Sequence, residues 1–137
     1  MFGGGPNRIE FCDLYTKDRD LIHVKRYGGS SVFSHLFAQG TVSGELFRME
    51  PDFRRLVNDK LPLSHRIDNH RRQPDRDEYR IVFAVVSKQT GAGLSLPFFS
   101  RLNLRSAARR LQAYGYRVAI AKIPLEPEFA VTTRFDS

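Results

Sequence analysis

The chain has 137 residues with 22 Lys and Arg against 15 Asp and Glu, which leaves a net charge of +7. This length fits one domain, residues 1–137, that can bury a hydrophobic core without disulfides. No apolar run approaches the roughly 18 residues of a membrane-spanning helix, and the N-terminus has no secretory pattern, so we expect no membrane partner. The single cysteine, Cys12, cannot form an internal disulfide, so we expect a buried thiol and a cytoplasmic location.

Hydrophobic spacing predicts four strands and three helices in the order β-β-α-α-β-α-β. In chain order these are strands at 9–15 and 21–27, a helix from Ser30 or Ser31, a helix from Pro51, a strand at 79–86, a helix at 101–114 and a strand at 116–123. Gly40 and Gly44 predict a break or kink in the first helix. The basic segment 64–78 predicts an exposed, mobile loop. The fold class is α/β, or mixed α+β: a small mixed sheet with an N-terminal antiparallel hairpin, packed helices and a final parallel crossover.

The hairpin carries three polar side chains of interest. If its five-residue turn pairs Tyr15 with Leu21, Asp13 lies opposite His23 on the neighbouring strand. Lys25 then shares their face, because side chains alternate along a strand. Asp13, His23 and Lys25 are therefore the candidate catalytic residues. Asp13 and His23 would bind a divalent metal, Mg²⁺ or Mn²⁺, and Lys25 would position or deprotonate the attacking water. The alternative is an ordinary ion pair between Asp13 and Lys25.

A turn rich in glycine and serine joins the second strand to the first helix. Such a turn presents free backbone N–H groups to an anion, although it lacks the Gly-x₄-Gly-Lys pattern of a nucleotide-triphosphate P-loop. Polar side chains continue at i, i+4 and i+8 along the helix. The predicted phosphate-binding residues of this region are Gly28, Gly29, Ser30, Ser31, His35 and Gln39. For His35 the alternative is a partly buried ring whose partners are backbone groups.

The last helix carries a line of arginines. Arg101, Arg105 and Arg109 stand at i, i+4 and i+8, so they share one helix face. No Asp or Glu occurs between Glu78 and Glu126 to neutralise them. We therefore predict that these three arginines bind phosphates, with a solvated basic face as the alternative.

The hairpin residues and the order of elements resemble the restriction-endonuclease-like PD-(D/E)xK nucleases. In that family a strand-borne Asp and a second acid bind magnesium, and a Lys two residues further on helps to activate water. The resemblance implies a restriction-endonuclease-like fold. His23 stands where the family has its second acid, and histidine suits Mn²⁺ or another transition metal better than Mg²⁺.

A second resemblance covers about half of the chain and is carried by Ile9–Leu14, His23–Ser31, Ser34–Gly40, Leu96–Ser100, Ala107–Leu111 and Gly115–Tyr116. These segments resemble a sporadically distributed, uncharacterised bacterial family found in mobile-element and phage-defence gene neighbourhoods. Its members are several times longer, so this resemblance implies that the chain is their C-terminal portion. If an endonuclease-like helix precedes the first strand, it would lie upstream of Met1.

These patterns favour a polyanionic partner, because basic side chains that neutralise phosphates release counterions. We expect a nucleic-acid-binding domain with DNA or RNA as partner, and in its more specific form a metal-dependent nuclease that cleaves phosphodiesters. Two alternatives stay open: a DNA- or RNA-binding module without catalysis, and a protein-interaction domain that forms a homodimer.

Overall fold

The computed structural model describes residues 12–89 and 93–125, and all statements below refer to these residues. Their predicted order of elements is confirmed, while residues 9–11 of the first predicted strand and residues 90–92 of a predicted turn lie outside the described part. The elements are β1 (Leu14–Tyr15), β2 (Asp20–Arg26), α1 (Ser30–Met49), α2 (Pro51–Lys60), a 3₁₀ turn (Leu63–His65), β3 (Arg80–Ser87), α3 (Phe98–Ala113) and β4 (Arg117–Pro124).

The four strands form one mixed sheet in the order β1-β2-β3-β4. β1 is antiparallel to β2, and the predicted hairpin register is confirmed because Tyr15 pairs with Leu21. β2, β3 and β4 are parallel to one another, as predicted for the last crossover. Parallel strands end at the same edge of a sheet, so Arg26, Ser87 and Pro124 mark its C-terminal edge.

The core lies between the sheet and the helices. The apolar residues at helical spacing in α1 are Val32, Phe33, Leu36 and Phe37; the last three have at most 1% of their surface exposed, whereas Val32 is half-buried. The Phe37 ring meets the Phe83 ring of β3 edge to face, with centroids 5.1 Å apart. Cys12 is half-buried, and burial raises the pKa of its thiol to about 12, so the thiol stays neutral. None of the described helices is long and apolar enough to cross a membrane.

α1 runs without interruption through the two glycines, so the predicted break is wrong. A Cβ atom on Gly40 would lie 2.4 Å from a ring carbon of Phe83. A Cβ on Gly44 would lie 2.8 Å from the ends of Ile81 and Leu111. Both glycines therefore let the helix approach the sheet closely, which explains their presence inside a continuous helix.

α1 and α3 lie side by side and run in the same direction. Near their N-termini, Asn103 Nδ2 donates to Ser34 Oγ at 3.1 Å. Near their C-termini, the Tyr114 hydroxyl donates to Glu45. Both contacts join residues 69 positions apart, so residue i of α1 is level with residue i+69 of α3. Since α1 follows β2 directly, both helices begin at the C-terminal edge of the sheet.

The basic segment 64–78 has mostly exposed side chains, as predicted, but its backbone is bonded to the helices. Asn58 of α2 exchanges two hydrogen bonds with the backbone of Ile67, at 3.0 and 2.7 Å. Arg48 of α1 donates to the Pro74 carbonyl at 2.8 Å. The segment is therefore attached to both helices along its length.

Arg54 of α2 attaches the same segment from inside the core, where only 1% of its surface is exposed. Its guanidinium donates to the carbonyls of Phe47 and Arg48, at 2.6 and 2.9 Å, and to that of His70 at 2.6 Å. Carbonyls in the last turn of a helix lack intrahelical donors, so Arg54 caps the C-terminus of α1. The sequence patterns did not predict this role for Arg54.

Candidate nucleic-acid interface

The hairpin places His23 in the core between β2 and α1, with 0% of its surface exposed. Its Nε2 lies 3.5 Å from Ser43 Oγ, and its Nδ1 has no hydrogen-bond partner in the described part of the chain. Burial lowers the pKa of the ring to about 4, although the nearby Asp13 carboxylate opposes this shift. His23 is therefore a neutral core side chain at pH 7.

Asp13 is exposed and precedes β1, so the observed register, which begins with Leu14 opposite Ile22, does not include the predicted pairing of Asp13 with His23. Its carboxylate is occupied by backbone. Oδ2 accepts a hydrogen bond from the Val24 N–H at 2.7 Å, and the Asp13 N–H donates to the Ile22 carbonyl at 2.9 Å. The carboxylate thus takes the place of a strand carbonyl at the end of the hairpin. Among the described ion pairs, none joins Asp13 to Lys25.

The donor set of Asp13 and His23 does not fit a Mg²⁺ centre. In the described ranges no group of three or more His, Cys, Asp or Glu side chains is placed to hold a metal ion. Mg²⁺ requires six oxygen ligands in near-octahedral geometry, whereas this pair supplies one hydrogen-bonded carboxylate and one enclosed imidazole. A Mg²⁺ ion held by this pair alone would lack most of its ligands.

Lys25 lies two residues beyond His23, where β2 leaves the core. Its side chain lines an open cleft of about 510 Å³, which we call the β2 cleft. This cleft brings together three of the predicted site residues, Lys25, Ser31 and His35, at the N-terminus of α1. Cationic side chains and the positive end of a helix dipole favour an anion at this place. The cleft is lined by Lys25, Arg26, Tyr27, Ser31, Val32 and His35.

The glycine turn opens the helix N-terminus beside this cleft. Gly29 is the N-cap of α1, and no side chain caps the helix there. A Cβ on Gly28 would meet Val32 at 2.9 Å, whereas a Cβ on Gly29 would meet nothing within 4 Å. A side chain at position 28 would thus displace Val32, while Gly29 and Ser30 are exposed at the start of the helix. Gln39, predicted on the same stripe, is half-buried and does not line the cleft.

The outer surface of α3 combines aromatic and arginine side chains. Arg101, Arg105 and Arg109 are all exposed, as their spacing predicts. In the first turn, Phe98 and Phe99 are 58% and 74% exposed, and the Arg101 guanidinium lies 5.7 Å from the centroid of the Phe98 ring. The α3 face, as we call this surface, comprises Phe98, Phe99, Arg101, Leu102, Arg105 and Arg109.

The arginines of the α3 face contrast with the four arginines of the described chain that have acid partners. In the described part of the chain, no carboxylate forms an ion pair with Arg101, Arg105 or Arg109. Arg110, one residue further on, reaches Glu45 of α1 at 3.6 Å. The other arginines with acid partners are Arg19 and Arg72 with Glu78, Arg72 with Asp75, and Arg80 with Asp20.

The β2 cleft and the α3 face are separate surfaces. α3 packs against the side of α1 that carries Ser34. Around α1, His35 lies about a quarter turn from Ser34 and Val32 lies nearly opposite it, and both line the β2 cleft. Apart from Gln39, the predicted phosphate-binding residues therefore divide into two groups, one at the N-terminus of α1 and one along α3.

These features define a mixed α+β domain, with a four-stranded mixed sheet, three helices and two basic surfaces. The model of a family of unknown function (DUF6119) matches residues 1–124, so the chain belongs to that family. Membership of an uncharacterised family is thereby confirmed. Comparisons with curated proteins and with solved structures found no match. The restriction-endonuclease-like fold and the nuclease resemblance stay predictions.

Proposed function

We propose that this protein is a nucleic-acid-binding module whose α3 face contacts the phosphates of DNA or RNA. The observation that carries this proposal is the row of exposed arginines, Arg101, Arg105 and Arg109, without acid partners in the described part of the chain. An arginine that is already paired must give up that partner before it can contact a phosphate, whereas these three need not. The planar guanidinium group is also suited to bidentate phosphate contacts.

The β2 cleft supports the same kind of partner. Lys25 and His35 line it beside the N-terminus of α1, where backbone N–H groups and the helix dipole favour a phosphate. Because the cleft and the α3 face share none of their residues, the cleft would bind a phosphate distinct from those on the α3 face. Its contribution is therefore separable by mutation.

Binding is better supported than metal-dependent cleavage. His23 would have to reach a metal and a phosphodiester, yet no part of its surface is exposed. The nuclease prediction has a direct test: cleavage of DNA or RNA in Mg²⁺ or Mn²⁺ that Lys25→Ala abolishes while binding persists. If neither metal supports cleavage, the enzymatic form of the proposal is wrong and the binding form is unaffected.

The binding proposal is tested by the salt dependence of affinity. Each neutralised phosphate contributes roughly 0.7 to 0.9 to the slope of log K against log salt concentration. We expect Arg105→Gln with Arg109→Gln to reduce that slope by about 1.5. Fluorescence anisotropy with labelled oligonucleotides, at salt concentrations from about 50 to about 200 mM, measures the slope.

Arg72→Gln is the matched control, because Arg72 is exposed but already paired with Glu78. We expect its slope to equal that of the wild type. The proposal fails if no oligonucleotide, single-stranded or duplex, binds at the lowest salt concentration. It also fails if the control lowers the slope as much as the double variant does.

A further inference from the structure

We propose that the nucleic acid bound by the α3 face is single-stranded, and that Phe98 and Phe99 stack against its unpaired bases. This inference rests on the proposed function and names its substrate class. Two adjacent phenylalanine side chains at the start of α3 are exposed, whereas the next residue of the helix is buried.

The first turn of α3 holds these rings outward. Ser100, next in sequence, is 2% exposed and lies on the inner side of the helix, whereas Phe98 is 58% and Phe99 74% exposed. Phenylalanine is among the side chains most often buried in folded proteins. The two rings contact each other edge to face, with centroids 5.4 Å apart, and so present differently oriented surfaces.

Cations accompany the aromatic rings along the same helix. The Arg101 guanidinium lies over the Phe98 ring at 5.7 Å, and Arg105 and Arg109 follow at intervals of one turn. From Phe98 to Arg109 the helix rises roughly 16 Å, at 1.5 Å per residue. A strip of this kind offers ring faces for bases and guanidinium groups for the backbone between them.

This combination separates single strands from duplexes. In a duplex each base is stacked between its neighbours and its faces are covered, so an exposed phenylalanine meets only sugars and groove edges. In a single strand the base faces are accessible, and stacking on an aromatic side chain is tolerant of sequence. An apolar protein partner would cover the rings but would leave Arg105 and Arg109 without a counter-charge.

A tryptophan at the stacking position provides the direct test. The chain contains no Trp, so the emission of a Phe99→Trp variant reports on that one site. We expect oligo(dT) to quench it and inorganic polyphosphate, which has charge but no bases, to leave it unchanged. A Leu63→Trp variant is the control, because Leu63 is 81% exposed on the 3₁₀ turn, outside the α3 face. Its emission should not respond to either ligand.

Affinity gives the second measurement. We expect Phe98→Ala with Phe99→Ala to weaken oligo(dT) binding by about tenfold or more while leaving the salt slope and the duplex affinity unchanged. Stacking is ruled out if oligo(dT) binds but neither quenches the emission of the Phe99→Trp variant nor loses affinity on alanine substitution. Equal or tighter binding of a duplex rules out the proposed preference for single strands. If neither single strand nor duplex binds the wild type, the proposed function itself fails.

Discussion

On β2 the polar side chain His23 points under α1 and has no exposed surface, whereas on α3 Arg105 and Arg109 point away from the sheet into solvent. Both elements attract attention in the sequence for the same reason, because polar residues recur at the spacing of one face. The structure shows that the two faces differ in what covers them. α1 lies over the face of β2 that carries His23, whereas the face of α3 that carries Arg105 and Arg109 is open to solvent. A buried polar group acts through its neighbours in the fold, and an exposed row of charges acts on a partner.

The largest effect is expected at the other buried polar residue, Arg54. Arg54→Met should lower the free energy of unfolding by about 3 kcal/mol or more, because three buried or part-buried hydrogen bonds from the guanidinium to backbone carbonyls are lost. Urea unfolding measures this loss. The adjacent Arg55 is exposed, so Arg55→Met should change stability by no more than about 0.5 kcal/mol. Equal losses for both variants would show that burial of Arg54 has no special role.

The pH dependence of stability tests the burial of His23. Its pKa is about 4 in the folded protein against a usual 6.5, so between these values the unfolded chain binds a proton that the native protein does not. Stability should therefore fall as the pH decreases from 6.5 towards 4, by on the order of 3 kcal/mol. Urea midpoints across this range measure the slope. His23→Leu should flatten it, and the exposed His35→Leu should not; a slope that persists in His23→Leu would assign it to another group.

One added methyl group on α1 should disrupt its close packing against the sheet near His23. Gly40→Ala places a Cβ 2.4 Å from the Phe83 ring, so overpacking should outweigh the gain in helix propensity and destabilise by roughly 1–2 kcal/mol. Thermal or urea unfolding measures it. Gly29→Ala is the control, because a Cβ there meets nothing within 4 Å. A stabilised Gly40→Ala variant would show that α1 shifts away from the sheet easily.

The smallest effect on stability is expected on the α3 face. Arg105→Gln with Arg109→Gln should leave the free energy of unfolding within about 0.5 kcal/mol of the wild type, because neither side chain has an ion-pair partner in the described chain. The same variant should lower the salt slope of nucleic-acid binding. A destabilisation above about 1 kcal/mol would mean that these arginines support the fold and would weaken the contrast with His23.

Local patterns were sufficient to predict the order of elements, and they gave the hairpin register only as a condition. A five-residue turn allows Tyr15 to pair with Leu21, and the structure shows this pair. The same reasoning could not reveal that α1 covers the face shared by Leu21 and His23, since this depends on where a later helix packs. The position of Lys25 at the end of the strand, and hence in the β2 cleft, follows only once that face is known.

The role of Arg54 was not predicted and that of Gly40 was predicted wrongly, for related reasons. Arg54 follows Phe53 at the edge of the apolar stripe of α2, and its partners are main-chain carbonyls, which leave no sequence signal. Gly40 suggested a bend, because a glycine in a helix has the same local signature whether it flexes or makes room. The deciding partner, Phe83, lies on a strand far away in the chain.

Arg54 also determines how the segment 64–78 can move. Its acceptors belong to the end of α1 and to the segment itself, while the guanidinium is carried by α2. None of the three can detach alone without breaking a hydrogen bond of the buried Arg54 guanidinium. We therefore expect the segment to open together with the ends of both helices, and native-state hydrogen exchange measures this. A largely exposed stretch of the chain is thus tied to the core through its backbone.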